Sequence, residues 1–427
     1  MKKHLLFILI SSLAIHSLLS VSFNDGSSIK IRDGLFFSDE ELSNFEWRNE
    51  LSEAEEDFFE NTRISLVTGG QGDEIWELFG HASFLVESPK HPDIMFDYGI
   101  FSFDKDFYKN FALGKLYYSM MESHASPRIS NLKMADRTIY KLELNLSALE
   151  KCNLLLFLEY NNKAENRTYL YDYYLDNCAT RLRDSYSYVT GGNLRDWAEN
   201  EMTGMTLRDY TIRYLSPVFI ADWAINYLLG PAVDKEISLW DAMFLPDILR
   251  ESIEEFQETE SSRIYTAESR SELPAHNYFY IKTALLSLIM TFFIILTYSK
   301  HKALRITGDL LSALTYFMLF IMSAVLLFLE TASIHKVTYF NTSILVISPL
   351  TISFAYLHIA SLFREEKRER IKKLSFAMLI ITSALLIAKL IIMKLFYNAN
   401  WAYYIVMIPL YAADSHILDK IRYKKDK

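Results

Sequence analysis

The chain has 427 residues, 51% of them hydrophobic and 15% aromatic, so it is neither disordered nor small, and it has length for two domains. Its formal charge of -9 hides a division: from His276 onward there are 18 Lys and Arg against 8 Asp and Glu, leaving 26 against 45 before it. So acidic a front half excludes nucleic acid as a partner.

Met1-Lys2-Lys3-His4, followed by the apolar run Leu5 to Leu19, has the charged start and apolar core of an export signal. Residues 1–22 are therefore read as a signal peptide or signal anchor, and the chain after them as lying outside the cytoplasm. Ser38 to Thr62 is acidic with scattered aromatics and reads as surface helix.

A block of short strands follows: Arg63 to Thr68, Glu77 to Glu87, Asp93 to Tyr98, and Thr138 to Leu144 with period-two alternation. Helical patterns succeed them at Ala148–Asn161 and from Cys178 onward. Strands before helices predict an α+β domain. On the second strand His81 shares a face with Ser83 and Leu85, opposite Ala82, Phe84 and Val86.

Cys178 opens a helix just after Asp176 and Asn177, residue types favoured at N-caps. There the helix dipole, with Arg181 and Arg183 nearby, favours thiolate. A Cys178/His81 pair is the minimal equipment for nucleophilic acyl transfer. The competing reading of Cys178 is a plain buried thiol, or a disulfide to Cys152 that would abolish the nucleophile. Cys152 itself, in a helix opened by the Ser147/Glu150 capping-box spacing, is expected in the core. Asp97 on the third strand is the first choice to orient the imidazole. His124, read as a loop residue, is the second. Ala221 to Pro231 is a short amphipathic helix stopped by Gly-Pro, and Glu251 to Glu272 is polar.

After residue 276 five apolar stretches appear, at about 277–298, 309–331, 338–363, 374–396 and 401–418. Basic loops at Lys300–Arg305 and Arg364–Lys373, and the basic C-terminus, belong on the cytoplasmic side. That places residues 23–275 outside, gives a transmembrane domain over 276–427, and explains the basic back half without an anionic ligand. Lys282 and Lys394 can snorkel, whereas Lys389 lies deeper and needs a partner. His335 and Asn341, at the outer rim, are candidate headgroup contacts, with interfacial anchoring as the alternative. Scattered histidines and the absence of a Gly-rich loop predict no metal, cofactor or nucleotide.

An outward thiol joined to so much membrane predicts a lipid or lipid-modified substrate, with Cys178 attacking an ester and His81 as base. The motifs Gly72-Asp73-Glu74, Leu78-Phe79-Gly80-His81, Phe96-Asp97-Tyr98-Gly99, Tyr171 to Arg181 and Ala242 to Asp247 resemble the Lnb family. The resemblance implies lipoprotein N-acyltransfer in Bacteroidota-type bacteria, by an exported domain fused to a small inner-membrane domain. Its His-then-Cys order is also similar to circularly permuted papain-like folds of the NlpC and lecithin retinol acyltransferase kind. It implies Cys178 as nucleophile, His81 as base, and a lipoprotein or phospholipid partner in the membrane; Arg181 is a further candidate for substrate phosphate. Competing functions are a cell-wall cysteine peptidase or amidase, a phospholipase, and a non-enzymatic membrane scaffold.

Overall fold

The computed structural model describes residues 45–103, 105–270, 273, 278–391 and 401–415. The export signal, Lys394 and the basic C-terminal tail lie outside the described residues. The chain forms two compact units: one uses the chain up to Pro217 and again from Lys235 to Pro274, the other uses Val218–Asp234 with the chain after Ala275.

The first unit is built on a seven-stranded antiparallel sheet. Its strands are β1 (Arg63–Gly69), β2 (His81–Ser88), β3 (His91–Ile100), β4 (Tyr117–His124), β5 (Ile139–Glu143), β6 (Thr168–Leu170) and β9 (Ser262–Tyr265). The spatial order is β6-β4-β3-β2-β1-β5-β9. β7 (Met202–Thr206) and β8 (Glu236–Ser238) form a separate ribbon. The four strands read from alternation are all present. β4, β6 and β9 are additional, and His124 ends a strand instead of lying in a loop.

Alternation sorts the two faces as period two requires. Ile64, Leu66, Ala82, Phe84, Phe96 and Tyr98 form one core with Leu154, Phe157, Leu182 and Tyr186 of the helices Ala148–Asn162 and Cys178–Val189. On the other face Val67, Leu85 and Met95 pack with Ala125 and Leu132 of the helix Ala125–Met134. The first of these helices opens with the expected capping box, Ser147 Oγ accepting from Glu150 N at 3.3 Å. Cys152 is buried in the same helix, and both cysteines are free thiols. The disulfide reading is therefore corrected.

The second unit is helical. Among the described residues three of its helices are long and apolar enough to cross a membrane: Phe279–Leu296, Lys302–Ala332 and Glu366–Ile391. Two of the five expected spans differ among the described residues. Over 338–363 the chain makes 3-10 turns at Lys336–Thr338 and Thr342–Leu345, and only then the helix Thr351–Ser361. Composition there is apolar, but Pro349 lacks an amide hydrogen, and Asn341 and Ser348 side chains accept local backbone N–H groups. The last stretch gives the helix Ala402–Asp414, with Pro409 inside it. The amphipathic helix Phe219–Leu228 joins this unit, Tyr227 Oη donating to the Ile347 carbonyl at 2.8 Å and Tyr403 Oη to the Trp223 carbonyl at 2.9 Å. A mixed α/β unit is thus joined to a helical unit whose long apolar helices have the length and composition of membrane spans.

Candidate active site

Cys178 begins its helix because Asn177 caps it. Asn177 Oδ1 accepts from Ala179 N at 2.8 Å and Thr180 N at 3.0 Å, while Thr180 Oγ1 accepts from Asn177 N at 2.8 Å. The cap is itself held: Asn177 Nδ2 donates to the carbonyls of Tyr173 and Phe244, both at 2.9 Å. Upstream, Asp172 Oδ1 accepts from Tyr174 N and Leu175 N at 3.0 Å each, which folds the approach loop into an Asx turn. The Ala242–Asp247 motif thus has a structural task. Phe244 supplies a carbonyl to the cap, and Pro246 lies 3.6 Å from where a Cβ on Gly80 would stand.

His81 opens β2 opposite Gly69. Gly80 before it has φ +80, and an added Cβ would come within 3.0 Å of the Gly69 carbonyl. Gly99 likewise holds a left-handed backbone, φ +87, that side chains rarely adopt, and a Cβ there would stand in ordinary contact with the Cys178 Cβ at 3.5 Å.

The imidazole is oriented from behind. Its Nε2 lies 2.8 Å from Asp97 Oδ1, on the neighbouring strand. Asp97 is fully buried and also accepts from Ser83 Oγ at 2.5 Å, Arg128 Nη2 at 2.8 Å and Arg128 Nε at 3.0 Å. With Nε2 committed to Asp97, Nδ1 is left for Cys178, with which His81 makes a side-chain hydrogen bond.

The charges follow from this packing. Burial would keep His81 neutral, yet the Cys178 thiolate and the Asp97 carboxylate push it up to about 9. Burial also opposes the thiolate. The His81 charge and hydrogen bond, with the N–H groups of Ala82 and Ala179, nevertheless hold Cys178 below its ordinary value. Burial works against the Asp97 carboxylate too, but His81 and Arg128 keep it well below the usual range. These shifts favour a thiolate–imidazolium pair, with the Asp97 carboxylate behind the imidazole.

Arg128 escapes sequence analysis, since it lies 31 residues from Asp97 and only tertiary folding brings the two together. The only local hint is its place after Ser126-Pro127. The alternative orienter, His124, is exposed and pairs with Ile94 in the ladder.

Arg181, read as a phosphate contact, is buried. Its Nε and Nη2 donate to Asp176 at 2.6 and 3.0 Å, and its guanidinium stacks 3.8 Å over the Tyr169 ring. In the helical unit, Asn341 is likewise buried. Its Nδ2 donates to the carbonyls of Tyr227 (2.8 Å) and Leu229 (3.1 Å), and its N–H to Glu330 at 2.8 Å. His335, half-buried, precedes the 3-10 turn Lys336–Thr338. Lys389 is buried with its ammonium 4.5 Å over the Trp401 ring. No group of His, Cys, Asp and Glu among the described residues is arranged to hold a metal ion.

No curated protein and no solved structure matches the chain. Residues 52–217 match the family model of the Lnb N-terminal periplasmic domain, a match that ends where the chain leaves the sheet unit at Pro217. That stretch carries Cys178, His81 and Asp97, and its match is consistent with the Lnb family that the motifs resemble.

Proposed function

We propose that the protein is a thiol-dependent acyltransferase that moves a fatty acyl chain to the N-terminal amine of lipoproteins. The observation that carries this reading is the Cys178–His81–Asp97 arrangement, with the thiol at a capped helix start. The Lnb-type domain supports the lipoprotein as the acceptor. The apolar helices support a substrate that resides in the bilayer.

In the first half-reaction, Cys178 Sγ attacks the carbonyl of a lipid ester. The S–acyl bond forms, the ester C–O bond breaks, and the His81 imidazolium gives its proton to the departing alkoxide. The oxyanion meanwhile lies at the N-terminus of the Cys178 helix, whose backbone N–H groups and dipole favour negative charge. In the second, the lipoprotein amine attacks the thioester and expels the thiolate, and His81 takes the amine proton. Asp97 and Arg128 keep the imidazole aimed throughout. In fold terms the reading is of a circularly permuted papain-like domain on the periplasmic side of the inner membrane, with the C-terminus cytoplasmic.

Mass spectrometry of lipoprotein N-termini tests the proposal, in cells carrying the wild-type protein or Cys178→Ser. The amide-linked chain is expected to vanish in the mutant alone. An unchanged lipoprotein, with the mutant protein present in the membrane, refutes N-acyltransfer and turns the thiol toward hydrolysis of lipid or peptide.

A further inference from the structure

The segment 101–117 places six aromatic residues in seventeen, with Lys105, Lys109 and Lys115 among them. Its helix, Phe107–Leu113, has no buried residue. Tyr108 is 77% exposed, Tyr117 62%, and Phe103 and Phe111 55% each. A soluble surface rarely gathers large apolar side chains in this way, and a contiguous patch marks an interaction face. The rings form one chain of contacts. Phe103 packs on Phe107 at 4.5 Å and on Phe101 at 5.2 Å, and Phe101 stacks on Tyr118 at 4.8 Å. Tyr118 is buried, and a Cβ on Gly99 would stand 4.0 Å from its ring and 3.5 Å from the Cys178 Cβ, so the inner end of the chain adjoins the thiol.

We propose that residues 101–117 form a membrane-docking surface that seats the periplasmic domain on a lipid bilayer beside Cys178. Two features select a bilayer as the occupant. Exposed aromatics interleaved with lysine have the chemistry of the headgroup region, where rings sit among the acyl boundary and ammonium groups meet phosphate. Three lysines against two aspartates also make this segment locally basic within a domain that is otherwise acidic, which complements anionic lipid. The apolar helices keep the domain tethered near a membrane, so a weak surface affinity suffices. Docking of this kind presents ester groups at headgroup depth to the thiol.

The test uses the full chain in nanodiscs of phosphatidylglycerol and phosphatidylcholine, with Cys152→Ser and Cys178→Ser removing the native thiols. An environment-sensitive dye is attached through Tyr108→Cys, Lys109→Cys or Phe111→Cys. Glu60→Cys serves as control, since it is exposed and precedes the end of β1 that lies away from His81. Lipids brominated along the acyl chain should quench the dye at 108 and 111 several-fold more than at 60. Quenching at 108 and 111 no greater than at 60, in variants that stay protease-resistant, overturns the proposal. So does a dye equally shielded in detergent without lipid, which would mark the face as covered by protein. Because quenching is read without Cys178, the outcome is separate from N-acyltransfer: either can fail while the other stands.

Discussion

Arg128 grips Asp97 with two prongs, Nη2 on Oδ1 at 2.8 Å and Nε on Oδ2 at 3.0 Å, behind the histidine that faces Cys178. The carboxylate is buried and serves three side chains through four donor atoms, so its loss is felt in stability as well as in chemistry. Asp97→Ala leaves a part-buried guanidinium and the Ser83 hydroxyl without their acceptor, and is expected to destabilise the domain by about 3–5 kcal/mol. Asp97→Asn keeps shape and one acceptor. It should fold, yet slow acyl transfer by roughly 10²-fold or more, because the imidazolium loses its counter-charge. Thermal unfolding with single-turnover acylation of Cys178 separates the two effects.

The pH profile of Cys178 alkylation should show two regimes. The thiol titrates below its ordinary value and His81 up to about 9, so between them thiolate and imidazolium coexist. Iodoacetamide reactivity is expected to fall on the acid side as the thiolate is protonated, hold level between the two titrations, and change again near pH 9. His81→Ala should abolish the plateau and return the thiol to a single rise near pH ~8.5, about tenfold slower at neutral pH. A profile unaltered by that substitution would contradict the pairing. The stability linked to His81 has its own sign: raised above its ordinary value, it is fully present below pH ~6.5 and lost as pH climbs through about 9.

Asn177 caps the helix with its oxygen and ties two carbonyls with its nitrogen. Asn177→Asp retains the cap but puts a carboxylate against the Tyr173 and Phe244 carbonyls, whereas Asn177→Ala removes both functions. The alanine variant should lose about 2 kcal/mol or more. The aspartate variant is expected to be no more stable, since charge repels buried carbonyl oxygen. Urea unfolding checks both. An aspartate as stable as wild type would show that the cap alone matters.

Arg181 tests the difference between a phosphate ligand and an internal brace. Arg181→Lys keeps the charge but loses the fork on Asp176 and most of the stacking on Tyr169. A brace predicts a lower melting temperature with KM for lipid unchanged in the folded fraction. A raised KM at unchanged melting temperature would restore the phosphate role.

Local patterns made much of this site readable. His81 is legible because strand alternation leaves it on the face of Ser83 and Leu85, and Cys178 because its cap is written in the two residues before it. Arg128 and the pairing of Arg181 with buried Asp176 are not, since both depend on which side chains tertiary folding turns inward. β4 is blurred by Tyr117 and Met121 at positions facing outward, where a polar residue would have marked the alternation. The stretch 338–363 misleads for the opposite reason: its composition is that of a span, while one proline and a few hydroxyl and amide side chains interrupt the helix.

The helical unit also holds a polar knot that hydropathy hides. His358 lies 3.3 Å from both Asp309 and Asp414; Arg368 reaches Asp309 at 2.5 Å and Tyr316 donates to Asp414 at 2.7 Å. Its members come from four helices, and Asp414 lies near the end of the last. The consequence concerns biogenesis. As the helices are made one after another, Asp309, His358 and Arg368 arrive before Asp414, so His358 and Tyr316 gain their Asp414 partner only when the last helix packs. Completion of the knot is thus a late step of assembly, and a chain halted before residue 402 should be cleaved faster by protease around His358 and Tyr316, which then lack Asp414.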